Sequence, residues 1–104
     1  MKYLVVATSI VHDTSWTQEY TEKVSAMVAE HGGKYLLRST NFEVLEGDLE
    51  PQVLVLIEFP SKQDFDAFYH SEAYRPFKEA RQQGSRGSFF LTPFIDEAAV
   101  EQTQ

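Results

Sequence analysis

Val53-Leu54-Val55-Leu56-Ile57 is apolar at five successive positions, continues through Glu58-Phe59 and stops at Pro60. Successive side chains of a strand point to opposite faces. An antiparallel strand with one wet face therefore alternates apolar with polar, and this one does not. Tyr3-Leu4-Val5-Val6-Ala7 and Ser88-Phe89-Phe90-Leu91 show nearly the same pattern. A sheet built from such strands needs cover on both faces. The chain has 104 residues, and its helical segments supply one layer. The remaining face is expected to meet a second copy about a two-fold axis, because that hides two apolar patches at once. Such a homodimer interface should exceed about 1,000 Å².

The segments between these strands set the element order. Tyr3 to Ile10 reads as a strand, and His12-Asp13-Thr14 as a turn. Ser15 with Gln18 three residues on has a capping-box spacing. Behind it Trp16, Tyr20, Val24, Met27, Val28 and His31 recur at helical intervals, and Gly32-Gly33 ends the run. Lys34 to Ser39 is a strand, resuming at Phe42 to Glu46 after a bulge or bend expected near Thr40-Asn41. Gly47 to Pro51 reads as a turn before the strand Val53 to Phe59. Ser61 caps a second helix carrying Phe65, Phe68 and Tyr69. Ser71 caps a further piece carrying Tyr74, Phe77 and Arg81, with Pro76 in its first turn and Gly84 at its end. Gly84 to Ser88 reads as a flexible connection and Ser88 to Phe94 as the last strand, with Pro93 suggesting a sheet edge or the strand end. The order is β-α-β-β-α-β. Right-handed crossovers turn it into an α+β, ferredoxin-like unit: a four-stranded antiparallel sheet with the helices on one face. One domain, residues 1–95, is expected, followed by a loose acidic tail over residues 96–104.

Charge and cysteine content narrow the function classes. The net charge is −7 and Lys/Arg never cluster beyond a dipeptide. Nucleic acid and anionic membranes are unsuited partners for such a chain. There is no cysteine, which removes disulfides, thiol nucleophiles and Cys-ligated metal sites and fits a reducing cytoplasm. The apolar run after Met1-Lys2 is shorter than a signal h-region, and no segment reaches the roughly 20 apolar residues of a transmembrane helix. His12, His31 and His70 fall at no metal-ligand spacing. Neither a Ser/His/Asp set nor a Gly-rich phosphate loop is present, so no metal or cofactor is expected.

Taken in order, several pieces resemble the domain of unknown function 1330 family of the dimeric α/β barrel superfamily. They are Tyr20, Gly32-Gly33-Lys34-Tyr35-Leu36-Leu37-Arg38, Glu43-Val44-Leu45-Glu46-Gly47, Val55-Leu56-Ile57-Glu58-Phe59-Pro60-Ser61, Phe68-Tyr69-His70-Ser71 with Tyr74, and Arg81. The match runs from about Tyr3 to Thr92. The resemblance implies the same fold and a dimer. It implies no particular reaction: the superfamily mixes cofactor-free monooxygenases, isomerases, haem enzymes and binding domains.

Candidate site residues are polar groups set among apolar ones. Arg38, Glu43 and Glu58 are charges inside apolar strands, where an unpaired charge is costly. Arg38 is expected to contact Glu43 or Glu58, within the chain or across a dimer. They read as a structural ion pair or as a cluster binding an anionic or carbonyl group. Tyr20, Tyr69, Tyr74 and Arg81 sit on sheet-facing sides of helices, as pocket walls or as phenols at the core edge. Arg81 stands out because a residue in phase with Phe77 should be apolar. His12, in a βα loop, and His70, between helical pieces, are candidate acid–base groups; His31 at a helix end has a sufficient electrostatic reason to be there. Catalytic candidates are thus Arg38, Glu58, His12 and Arg81. Ligand-binding candidates are Tyr20, Arg38, Glu43, Glu58, Tyr69, Tyr74 and Arg81.

Two functions fit. One is a small-molecule binder or enzyme with a pocket in each subunit, of cofactor-free oxygenase or isomerase type. The other is a non-catalytic dimerisation or regulatory module. A cavity of a few hundred Å³ with converging polar groups separates the first from the second.

Overall fold

In the computed structural model, residues 1–48 and 52–95 are described. The elements are β1 (Tyr3–Val11), α1 (Thr17–Glu30), β2 (Lys34–Ser39), β3 (Val53–Phe59), α2 (Lys62–Tyr69), α3 (Arg75–Gly84) and β4 (Ser85–Pro93). The strands form one antiparallel sheet in the order β2-β3-β1-β4. The two apolar strands β3 and β1 lie in its centre, and β4 with Pro93 lies at an edge. This is the ferredoxin-like arrangement, with the second helix split in two. The sheet is open rather than closed into a barrel. No helix among the described residues is long and apolar enough to cross a membrane.

The register assigns each side chain to a face. Val5 pairs with Ile57 and with Leu91, and Ala7 with Val55 and with Phe89, so these residues share the helix-side face. There Val5, Ile57 and Phe59 meet Val24 and Val28 of α1, Phe65 and Phe68 of α2, and Tyr74, all buried. Fully burying one such Phe contributes about 1.5–3 kcal/mol. Leu4, Val6, Ile10, Leu54, Leu56 and Phe90 share the other face, which no element among the described residues covers.

Local signals fix the helix ends. Ser61 caps α2: its hydroxyl accepts from the Asp64 N–H at 3.1 Å and donates to the Asp64 carboxylate at 2.8 Å. The Ser71 hydroxyl accepts from Tyr74 N–H at 3.2 Å, and Pro76 lies in the first turn of α3. Gly32, at φ +78°, closes α1 by donating to Ala29 C=O, while Gly33 donates to Val28 C=O.

Three expectations need correction. The Ser15 capping box is absent. The Asp13 carboxylate instead accepts from Ser15 N–H at 3.0 Å, Thr14 C=O accepts from the Thr17 hydroxyl at 2.9 Å, and α1 starts after Trp16. Thr40 forms the bend expected there, and β2 carries in addition a bulge at Leu36, between Tyr35 paired with Ile57 and Leu37 paired with Leu56. Phe42 to Glu46 forms no strand, because β3 offers ladder partners to β2 only as far as Ser39 opposite Leu54. Leu45 is accordingly 83% exposed. Finally, α3 passes straight into β4 at Ser85, so the stretch read as a flexible connection is strand. The turn read over Gly47 to Pro51 lies partly, and the acidic tail over residues 96–104 wholly, outside the described residues.

Candidate functional site

The aromatic rings do not fill the whole space between helices and sheet. Phe59, Phe65, Phe68 and Tyr74 crowd one end, with ring centroids 4.4–5.7 Å apart along the series Phe65–Phe59–Phe68–Tyr74. Towards the other end, between α1, the C-terminal half of α3 and the helix-side face of the sheet, lies a pocket of about 520 Å³. Its floor is Ala7, Val53, Val55, Ile57 and Phe89. Its walls include Trp16, Tyr20, Tyr35, Arg38 and Arg81.

Sequence places each wall residue for a local reason. Trp16 is the residue before α1, and its indole lies against Gly84, where a Cβ would collide with Nε1 and Cδ1. Gly84 C=O accepts from both His12 N–H and Asp13 N–H at 3.1 Å, tying the β1–α1 loop to the end of α3. The missing side chain at position 84 thus lets the tryptophan close this end of the pocket. The bulge at Leu36 puts Arg38 opposite Val55, on the helix side with Tyr35. Its guanidinium carbon sits 4.5 Å from the Tyr35 ring centroid, a cation–π arrangement.

Arg81 enters from α3 and rests on Phe89, with its guanidinium carbon 4.6 Å from the ring centroid. Burial works against its charge, but the phenols of Tyr74, Tyr20 and Tyr69 more than offset it, so it stays protonated. The Tyr20 and Tyr74 hydroxyls lie 2.7 Å apart. Burial pushes the Tyr20 phenol far above its ordinary range, Tyr74 adds to this, and Arg81 opposes it. Tyr20 is therefore a neutral hydrogen-bonding group, not a base. Four buried polar atoms at this site lack a partner among the described residues: Arg81 Nε and Nη2, Trp16 Nε1 and Ser9 Oγ.

Of the sequence candidates, the structure brings Tyr20, Arg38 and Arg81 to one pocket. Tyr74 stands behind Tyr20 through the phenol pair. Tyr69 stacks between Phe65 and Phe89, at 5.3 and 5.6 Å, away from the pocket lining. Glu58 is on the open face, paired with Lys2 at 3.4 Å and opposite Lys34. Glu43 is exposed in the segment without strand structure. The expected contact of Arg38 with Glu43 or Glu58 is therefore not made within the chain, because the bulge turns Arg38 to the opposite face from Glu58. His12 is exposed, and His70 caps α2, edge-on to Tyr69 at 5.2 Å. His31 has Nδ1 2.8 Å from Met27 C=O. Among the described residues no group of three His, Asp or Glu could hold a metal ion. Sequence reasoning overlooked Trp16 and Ser9 as site residues. Trp16 reads as one apolar position of a helix, and only the closeness of Gly84, far away in sequence, lets its indole pack where it does.

Comparisons place this geometry. A protein of unknown function from Rhodopseudomonas palustris, RPA0582, superposes with a TM-score of 0.78 at 14% identity, over 91% of this chain and 83% of its own. SnoaB, a cofactor-independent oxygenase from Streptomyces nogalater, superposes with a TM-score of 0.64 at 14% identity, over 91% and 94%. An antibiotic biosynthesis monooxygenase gives 0.59 at 12% identity, over 92% and 100%. At such identities the likeness is one of fold. Among curated proteins no sequence matches. The family model for a domain of unknown function, DUF1330, matches residues 2–93, and the chain belongs to that family.

Proposed function

We propose that this protein binds a small, largely apolar organic molecule in the pocket between its helices and sheet. The observation that carries the reading is the pocket of about 520 Å³, within the size range of small-molecule sites, with unpartnered polar atoms of Arg81, Trp16 and Ser9 at its walls. A domain serving only to dimerise has no use for a hollow there, since filling it would add stability.

The fold likeness to a cofactor-independent oxygenase supports an extension to chemistry on the bound molecule. The described lining fits one half of such chemistry. Arg81 and the Tyr20 hydroxyl could stabilise a negative charge developing on a substrate oxygen. It contains no histidine and no carboxylate, so a proton-abstracting base would come from the substrate itself or from outside the described lining. Binding with charge stabilisation is thus the better supported function, ahead of isomerase-type proton transfer. The reading assigns the pocket to a single domain, residues 1–95. It also assigns the uncovered apolar face, with Leu54, Leu56 and Phe90, to a second copy of the chain in a homodimer; light scattering coupled to size exclusion measures that mass directly.

A thermal-shift screen of the purified protein against a metabolite collection tests the binding function, since a ligand of the native state raises Tm by mass action. Saturable stabilisers that also change the emission of Trp16, the single tryptophan, support it. A collection that moves neither quantity points to the regulatory alternative.

A further inference from the structure

The pocket is charged against the sign of its protein. The chain carries a net charge of −7 with 16 Asp and Glu, yet the pocket lining contains no acidic residue. It does contain Arg38, on the helix-side face of the sheet, and Arg81, from α3; Arg86, opposite Ile10, belongs to the open face. Chance placement would favour carboxylates here, so the sorting concerns what enters. Among the described side chains, Arg81 makes no ion pair. Its surroundings are the phenols of Tyr20, Tyr69 and Tyr74 and the ring of Phe89. A guanidinium held in such a place without an anion leaves most of its hydrogen-bonding capacity unused.

The orphaned atoms narrow the chemistry further. Nε and Nη2 of Arg81 form one edge of the guanidinium, two parallel N–H groups that match the two oxygens of a carboxylate. The third orphan nitrogen, Trp16 Nε1, can only donate, and the Ser9 hydroxyl can donate as well. The three nitrogens can only donate, so each requires an accepting oxygen, and the Ser9 hydroxyl is compatible with one. We infer that the ligand of this pocket is an organic carboxylate with an apolar body, its carboxylate drawn to the guanidinium of Arg81 and its body over Val55, Ile57 and Phe89. This rests on the binding function proposed above and specifies the ligand class.

The test uses a matched pair of probes, 4-phenylbutyrate and its neutral primary amide, with the full chain. Binding is followed by calorimetry and by Trp16 emission. The amide has the same shape, but presents an NH₂ donor where the site needs an acceptor. The expected result is that the carboxylate binds at least about tenfold more tightly, and that added salt weakens it and not the amide. Arg81→Gln should erase the difference by weakening the carboxylate alone. Arg81→Lys, which keeps the charge and loses the fork, should retain the salt dependence and lose most of the affinity; it carries the test if the glutamine variant fails to fold. Equal binding of both probes to the wild type would overturn the carboxylate assignment and leave the pocket function standing. Unchanged carboxylate affinity in both variants would do the same. Binding of neither probe at millimolar concentration would overturn the pocket function together with the assignment.

Discussion

The two ends of the space between sheet and helices are built from similar residues and used differently. At one end Phe59, Phe65, Phe68 and Tyr74 interlock, and Phe59 and Tyr74 are wholly buried. At the other end Trp16, Tyr20, Tyr35 and Phe89 stand around a hollow with Arg81. Both ends are aromatic, so hydrophobicity does not separate them. Partnering does: the polar atoms that lack a partner include two on Arg81 and one on Trp16, all at the hollow end. The filled end holds the fold together, and the hollow end leaves polar groups for something to occupy.

This contrast can be broken, and the largest effect should come from the filled end. Phe68→Ala removes a ring in contact with Phe59 and Tyr74 and should cost about 3–5 kcal/mol, measured by urea unfolding. A cost below about 1 kcal/mol would mean that the cluster is looser than its geometry. Gly84→Ala attacks a tight contact at the hollow end, since its methyl would collide with the Trp16 indole. It should destabilise by about 1–3 kcal/mol and shift Trp16 emission, because the ring must move. An unchanged spectrum would show that the tryptophan does not close the pocket.

Tyr74→Phe probes the seam between the two ends. It deletes one hydroxyl of the 2.7 Å phenol pair and leaves that of Tyr20 short of a partner, at about 1 kcal/mol. The same change removes a phenol from beside Arg81, so carboxylate affinity should change even though residue 74 is not in the lining. Arg81→Met should have the smallest effect on stability, between zero and a gain of about 1 kcal/mol. It replaces a half-buried charge carrying two unpartnered nitrogens by an apolar group of similar length. A loss above about 2 kcal/mol would place Arg81 in the structural half of the comparison after all.

The filled end was legible in the sequence and the hollow end only partly. Strands Tyr3–Val11 and Val53–Phe59 announce themselves by unbroken apolar runs. Ser61 and Ser71 cap where their spacing to Asp64 and Tyr74 says they should. Arg81 was visible as a charge at an apolar phase. Trp16 was not, because its role depends on a glycine 68 residues along the chain that leaves room for an indole. The pairing of Arg38 with a glutamate fails within one chain for a related reason. Period-2 alternation was carried through Leu36, and no local residue type marks that position as a bulge. Glu43 was misplaced because Phe42 and Val44 look like strand, yet strands need a neighbour and β3 has none left to give.

The extra residue at Leu36 has a consequence for how relatives of this chain are compared. Whether an arginine stands over the pocket depends on how many residues separate it from Tyr35 along the paired strand, and not on its column in an alignment. A relative with the same Arg38 but a regular β2 would present that arginine to the opposite face and offer the residue equivalent to Leu37 in its place. A relative lacking one residue at position 36 would keep the arginine where it is here. Family members with identical side chains can therefore own pockets of opposite character, and members that look divergent at this strand can own the same one. Sorting the family by ligand begins with counting residues rather than matching them.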